Sequence, residues 1–137
     1  MIIADTSGLL ALFNRREPAH ERVALAVAEA HGPLVVSPFV VAELDYLVAT
    51  RLGVDAERAI LRELSAGAYE ISSLGAGDLE LCAEVVARYG DQEIGVTDAS
   101  LVVLARRHQT RTILTLDRRR FSVLRPLDGG HFKLVGP

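Results

Sequence analysis

Four carboxylates spread along the chain have the chemistry and the spacing of a metal site: Asp5, Glu43, Asp98 and Asp117. Asp5 follows a short apolar run and Asp117 follows a run rich in β-branched residues, so each is predicted to lie just after a strand. Carboxylates gathered at one end of a sheet repel one another and raise one another's pKa values. A hard divalent cation relieves that repulsion and needs oxygen ligands. The spacing therefore predicts an acidic pocket for Mg²⁺ or Mn²⁺.

Each of these carboxylates also has an ordinary structural explanation. Asp5 and Asp98 are suited to the N-cap of a helix, where aspartate accepts backbone N–H bonds. Asp117 is suited to a turn, and Glu43 to the exposed side of a helix. Glu43 fits its explanation least well, because residues 39–44 are largely apolar and a buried, unpaired carboxylate is costly. Metal binding would accommodate such a buried charge.

The elements that must position these residues alternate between strands and helices. Apolar runs predict strands at 1–4, 34–36, 69–72, 112–116 and, at a sheet edge, 132–135. Caps and apolar periodicity predict helices at 9–13, 18–31, 38–52, 56–66, 78–89 and 98–108, with a turn or short helix at 117–121. This order predicts an α/β domain with a central, mostly parallel sheet and helices on both faces. Ligands of such sheets bind beyond the carboxyl ends of the strands.

Length and composition indicate one cytoplasmic domain over residues 1–137. Half of the residues are hydrophobic and 24% are charged, which favours a chain with a buried core. No apolar run approaches the roughly 20 residues that span a bilayer, and the N-terminus lacks the basic region of a signal peptide. The one cysteine, Cys82, excludes an intramolecular disulfide and a cysteine-based zinc site.

The net charge of −3 conceals a strong asymmetry along the chain. Residues 1–105 carry seven arginines against sixteen acids, whereas residues 106–137 carry seven arginines and Lys133 against two acids. Three of the arginines, Arg118, Arg119 and Arg120, directly follow the last carboxylate of the set. Arginine suits bidentate contact with phosphate, so this run is predicted to bind the phosphates of a nucleic acid. A solvated loop, or arginines paired with the acidic body, is the alternative.

This sequence lacks the residues that two other classes of α/β protein require. A receiver-type signalling domain needs a lysine beside its acidic pocket, but the sole lysine, Lys133, lies near the C-terminus. A nucleotide-binding enzyme needs a glycine-rich loop that binds phosphate. The candidate, Gly-Ala-Gly at residues 75–77, is followed neither by the next glycine of a dinucleotide-binding motif nor by the GK[ST] sequence of a P-loop. The four histidines have no metal-ligand spacing.

Four motifs occur in an order and at a spacing that resemble those of the PIN-domain nucleases, and more narrowly the VapC-type toxins of bacterial toxin–antitoxin pairs. They are Ile3–Ser7, Val41–Leu44, Thr97–Ser100 and Leu114–Phe121. The similarity covers nearly the whole chain and implies a PIN-like three-layer α/β/α fold. It further implies that Asp5 and Asp98 bind the metal directly and that Glu43 and Asp117 bind it directly or through water. Ser7 and Thr115 would then be polar supports.

The resemblance also implies an endoribonuclease that works as a homodimer and is inhibited by a cognate VapB-type antitoxin. Phosphodiester hydrolysis needs an activated water and stabilisation of charge on the phosphorus and the leaving oxygen, and carboxylate-bound metal ions supply both. The alternative from another class is a catalytically silent PIN-like module that only binds RNA or protein. The intact set of four acids favours the enzyme.

The predicted helices at 38–52 and 56–66 offer a surface for the antitoxin. They carry apolar residues that could receive an amphipathic segment, namely Tyr46, Leu47, Ile60 and Leu64. Packing of these side chains into the core is the alternative.

Overall fold

The computed structural model describes all 137 residues, which form five strands and seven helices. The strands are β1 (Ile2–Ala4), β2 (Leu34–Val36), β3 (Tyr69–Ile71), β4 (Thr112–Leu114) and β5 (Lys133–Val135). The helices are α1 (Thr6–Phe13), α2 (His20–Glu29), α3 (Pro38–Leu52), α4 (Val54–Leu64), α5 (Ala76–Arg88), α6 (Val96–Arg107) and α7 (Arg118–Val123). None of the seven helices combines the length and the hydrophobicity that a membrane-spanning segment requires.

The sheet has the strand order β3-β2-β1-β4-β5, and all four neighbouring pairs are parallel. With this strand order, the rule of right-handed crossovers assigns α1 to α4 to one face and α5 to α7 to the other. The predicted α/β/α architecture is therefore confirmed, with a sheet that is parallel throughout. The chain leaves β1 toward one edge and leaves β4 toward the other, so a crevice opens between the carboxyl ends of these two strands.

The core is built on the central strands and on α6. Ile3, Val35 and Ile113, one from each of the three central strands, are fully buried. Every residue of α6 from Asp98 to Ala105 is buried as well, which explains the nearly continuous apolar run in that helix. Each large aliphatic side chain buried in this way contributes about 1.5–3 kcal/mol. The edge strand β3 is largely exposed.

Several helices begin at other residues than those predicted. Helix α1 begins at Thr6, because the Leu9 N–H already bonds to the Asp5 carbonyl. The helix predicted at 56–66 begins two residues earlier, because α4 starts directly after Gly53, whose positive φ of 93° separates it from α3. Helix α5 begins at Ala76, because the Asp78 carboxylate accepts the Gly75 N–H from within the first turn.

Gly8 allows α1 to approach the end of β4. A methyl group at this position would lie 2.6 Å from the Leu114 carbonyl oxygen and 2.7 Å from the Leu114 side chain. The same close approach aligns the start of α1 with the chain that follows β4. Because Gly8 has no side chain, the start of α1 and the chain after β4 can lie close together on the two sides of the crevice.

We expect Gly8→Ala to destabilise the protein, although alanine normally favours a helix. Overpacking a closed site costs about 1–3 kcal/mol, which exceeds the gain of up to about 1 kcal/mol in helix propensity. Gly77→Ala in α5 is the matched control, because nothing lies within 4 Å of an added methyl group there. Urea unfolding should show a loss for Gly8→Ala and a gain for Gly77→Ala. Equal effects would contradict the packing explanation.

Candidate active site

Asp5 lies at the bottom of the crevice, directly after β1. Its N–H donates to the Leu114 carbonyl at 2.9 Å, and its side chain does not cap α1. Instead, carboxylate Oδ2 accepts hydrogen bonds from Thr115 Oγ1 at 2.8 Å and Ser7 Oγ at 3.0 Å. Burial raises the pKa of Asp5, and these two hydrogen bonds oppose that rise. The cap explanation therefore does not account for this side chain.

Ser7 and Thr115 connect the start of α1 to the segment after β4. Their hydroxyl oxygens lie 3.2 Å apart. Ser7 Oγ also accepts the Leu116 N–H, and Thr115 Oγ1 accepts the Asp117 N–H, each at 2.9 Å. The two hydroxyls thus hold Asp117 in a fixed position relative to Asp5.

Asp98 is the third residue of α6 rather than its N-cap, so the cap explanation fails here too. Its side chain is only 9% exposed, and it pairs with Arg120 Nη1 at 3.3 Å. Burial is the main cause that raises the pKa of Asp98 to about 6. The charges of Asp5 and Glu43 raise it further, and Arg120 opposes them. Asp98 is therefore close enough to Asp5 and Glu43 for their negative charges to repel it, as the sequence predicts for these residues.

Asp117 is the N-cap of the short helix α7 rather than a turn residue, so it does have a structural role, but not the one expected for a turn. Its Oδ1 accepts the Arg120 N–H at 2.8 Å, and its Oδ2 lies 3.5 Å from Arg120 Nε. The side chain nevertheless lines a pocket that it shares with Asp5 and Glu43. A capping role does not remove Asp117 from the acidic group.

Glu43 is exposed, so the expectation of a buried carboxylate at this position is wrong. The apolar neighbours Val40, Leu44 and Val48 form the buried side of α3 with a spacing of four residues, and Glu43 lies on another side. That side faces the pocket. Hydrophobic neighbours in sequence do not report on burial here, because the helix turns Glu43 away from them.

The pocket has a volume of about 230 Å³ and combines acids, hydroxyls and cations. It is lined by Asp5, Thr6, Ser7, Leu10, Glu43, Leu47, Arg51, Asp117 and Arg120. Sequence reasoning missed Thr6 and Arg51. Glu43, Leu47 and Arg51 recur every four residues, so their spacing alone could have placed Arg51 on the pocket side of α3.

The pocket residues fit a hard divalent cation by the chemistry of their donors. Carboxylates and hydroxyls are the oxygen ligands that Mg²⁺ and Mn²⁺ prefer. Thr6 Oγ1 is the one buried side-chain oxygen or nitrogen without a hydrogen-bond partner, and it lies in the wall of this pocket. No three His, Cys, Asp or Glu side chains converge on one point as they stand. Arg120 lies between two of the carboxylates.

The three arginines after Asp117 differ from one another. Arg118 donates to the Pro137 carbonyl at 3.4 Å, and Arg119 is exposed without an ion pair. Arg120 alone pairs with two acids, Asp98 and Asp117. The sequence does not single out any of the three, but the structure singles out Arg120.

Comparison with known proteins gives consistent matches. The family model described as the PIN domain matches residues 2–125. The ribonuclease VapC26 of Mycobacterium tuberculosis is 58% identical over 134 residues, which cover 98% of this chain and 99% of that protein.

Solved structures with the same fold are more distant in sequence. VapC20 of M. tuberculosis, a toxin that cleaves the sarcin–ricin loop, matches with a TM-score of 0.79 and 22% identity, over 87% of this chain and 92% of its own. The DNA-bound VapBC complex of Salmonella typhimurium matches with a TM-score of 0.66 and 17% identity, over 98% of each chain.

We expect metal-free protein to lose stability as the pH rises from about 4 to about 6. The folded protein keeps the Asp98 proton up to about pH 6, whereas the unfolded chain loses it near 3.8. Ionisation in this window therefore favours the unfolded chain. Asp98→Asn should reduce this slope in urea unfolding with chelator, whereas Glu84→Gln on the exposed side of α5 should leave it unchanged. An unchanged slope in Asp98→Asn would refute the assignment.

Proposed function

Because the chain belongs to the PIN-domain family, and within it to the VapC-type toxins, we propose that it is a Mg²⁺- or Mn²⁺-dependent endoribonuclease of a toxin–antitoxin pair. One observation carries the proposal: Asp5, Glu43 and Asp117 line one pocket between the carboxyl ends of β1 and β4, and Asp98, which is not among the lining residues, is near enough for the charges of Asp5 and Glu43 to raise its pKa. All of residues 1–137 would form one nuclease domain acting on RNA in the cytoplasm.

Within this site, Asp5 and Asp98 would hold the cation directly, and Glu43 and Asp117 would hold it directly or through water. A divalent cation bound there supplies Lewis acidity and a water molecule of lowered pKa. Ser7 and Thr115 support the reaction by orienting Asp5, since both hydroxyls donate to the same oxygen, Oδ2. A carboxylate held in this way keeps its direction when the cation and the RNA arrive.

The RNA would approach from the side of the arginine run. A second pocket of about 500 Å³ adjoins the acidic one and is lined in part by Asp117, Arg119 and Arg120. Arg119 is exposed without an ion pair, and the exposed Arg118 has only a 3.4 Å hydrogen bond to the Pro137 carbonyl, so both could turn to phosphates of the strand. Positive charge next to the carboxylates also reduces repulsion between the acidic pocket and the RNA backbone.

The antitoxin would bind the hairpin of α3 and α4. Tyr46, 69% exposed, and the exposed Leu61 offer apolar surface there, and Leu47 and Ile60 are half-buried. Leu64 is buried, so the prediction that it receives the partner is wrong and core packing explains it. Similar folds occur in VapBC complexes, which supports a VapB-type partner. We also propose that the protein forms a homodimer.

We expect Asp5→Asn and Asp98→Asn each to abolish metal-dependent cleavage of RNA by the purified protein. Asparagine keeps the shape of the side chain and removes the charge that binds the cation. Glu84→Gln, which removes an exposed carboxylate from α5, should cleave as the unmodified protein does. Cleavage of a labelled RNA in Mg²⁺ or Mn²⁺ and in chelator measures this, with circular dichroism as the check of folding. Undiminished cleavage by either asparagine variant would remove that residue from the site.

We expect Arg118→Ala and Arg119→Ala to weaken RNA binding and to reduce its dependence on salt. The slope of log affinity against log salt should fall by about 0.7 for each lost contact with a single-strand phosphate. Arg62→Ala, an exposed arginine in the last turn of α4, should leave the slope unchanged. Affinity is measured in chelator, where RNA stays intact. Unchanged slopes in both variants would show that the run is an ordinary solvated segment.

A further inference from the structure

We propose that Arg120 is an internal counter-cation of the acidic pocket, and that a divalent cation must displace its guanidinium from Asp98 before Asp98 can become a ligand. This inference rests on the proposed function. It assigns to Arg120 a role in metal binding that phosphate contact alone would not require.

The contacts of Arg120 carry the inference. Nη1 lies 3.3 Å from Asp98 Oδ1, and Nε lies 3.5 Å from Asp117 Oδ2. Arg120 is the only residue that pairs with the Asp98 carboxylate. One guanidinium thus links carboxylates from α6 and from the start of α7. A cation that binds both carboxylates must take the same space.

Arg120 can leave without disturbing the fold. Its backbone N–H is held by Asp117 Oδ1 at 2.8 Å, and the next residue, Phe121, is buried against Phe132 with ring centres 6.3 Å apart. The guanidinium side chain, in contrast, is 42% exposed. Rotation of the side chain alone therefore releases Asp98, while the backbone of α7 stays in place.

Arg120 also separates the two pockets. It lines both the acidic pocket of about 230 Å³ and the outer pocket of about 500 Å³, and Asp117 is the only other residue that they share. Displacement of the guanidinium toward the outer pocket would open a path between them and bring a positive charge to the side where RNA phosphates would bind. Metal binding and RNA binding would then favour each other, as coupled equilibria require.

Competition of this kind lowers the apparent affinity for the metal. The binding-competent form is only the fraction of molecules in which Arg120 has left Asp98, and the apparent dissociation constant rises by the inverse of that fraction. Removal of Arg120 should therefore strengthen metal binding. A phosphate-binding arginine without this role would change metal affinity only through its long-range charge, which salt screens.

The test is Mn²⁺ binding to the free protein, followed by water-proton relaxation, for four proteins: unmodified, Arg120→Ala, Arg120→Gln and Arg119→Ala. Arg119→Ala is the matched control, because it removes the same charge from the neighbouring position, where no ion pair exists. We expect both Arg120 variants to bind Mn²⁺ about tenfold more tightly than the unmodified protein. Arg119→Ala should change the affinity by less than about twofold at physiological salt.

Each outcome is decisive. Equal Mn²⁺ affinity in all four proteins, or weaker binding in the Arg120 variants, would overturn the inference and leave the proposed function standing. Absence of Mn²⁺ binding in all four would overturn the proposed function and this inference with it. A second measurement avoids mutation: the Arg120 Nε–H resonance of the unmodified protein should shift when Mg²⁺ is added. A resonance that stays in place while Mg²⁺ binds would also overturn the inference.

Discussion

The hydrogen bond from Thr115 Oγ1 to Asp5 Oδ2, 2.8 Å long, joins residues 110 positions apart, and the geometry of the site depends on it. It connects the ends of two neighbouring strands, so it can form only when β1 and β4 pair in the correct register. Ser7 donates to the same Asp5 oxygen and accepts the Leu116 N–H, which extends the connection to Leu116. Asp117 and the start of α7 then follow at a fixed distance from β1.

A buried carboxylate that could bind a cation lowers the stability of the metal-free folded protein. Asp98 shows this most clearly, because burial and neighbouring charges raise its pKa to about 6 and its ionised form is therefore unfavourable. Arg120 offsets part of that loss of stability through an ion pair at 3.3 Å. The guanidinium of Arg120 thus compensates part of the negative charge of these carboxylates.

Local patterns predicted the features that depend on neighbouring residues. The runs before Asp5 and Asp117 indicated strands, and the alternation of elements indicated the layered fold. Features that depend on tertiary packing could not be predicted from these local patterns. The exposure of Glu43 is set by the phase of α3 against the core, which its apolar neighbours do not reveal. The pairing of Arg120 with Asp98 joins two helices that are separate in sequence, so nothing in the arginine run distinguishes Arg120.

The strand order has a consequence for synthesis of the chain. β4 lies beside β1 in the middle of the sheet, yet it is the fourth strand to leave the ribosome. Until residues 112–117 emerge, Asp5 has no Thr115 to hold it and Asp117 does not exist. Contacts between such distant segments also form late in folding, because the intervening chain must first be closed into a loop. Asp5 and Asp117 therefore reach their final positions only near the end of translation, after most of the chain has been made.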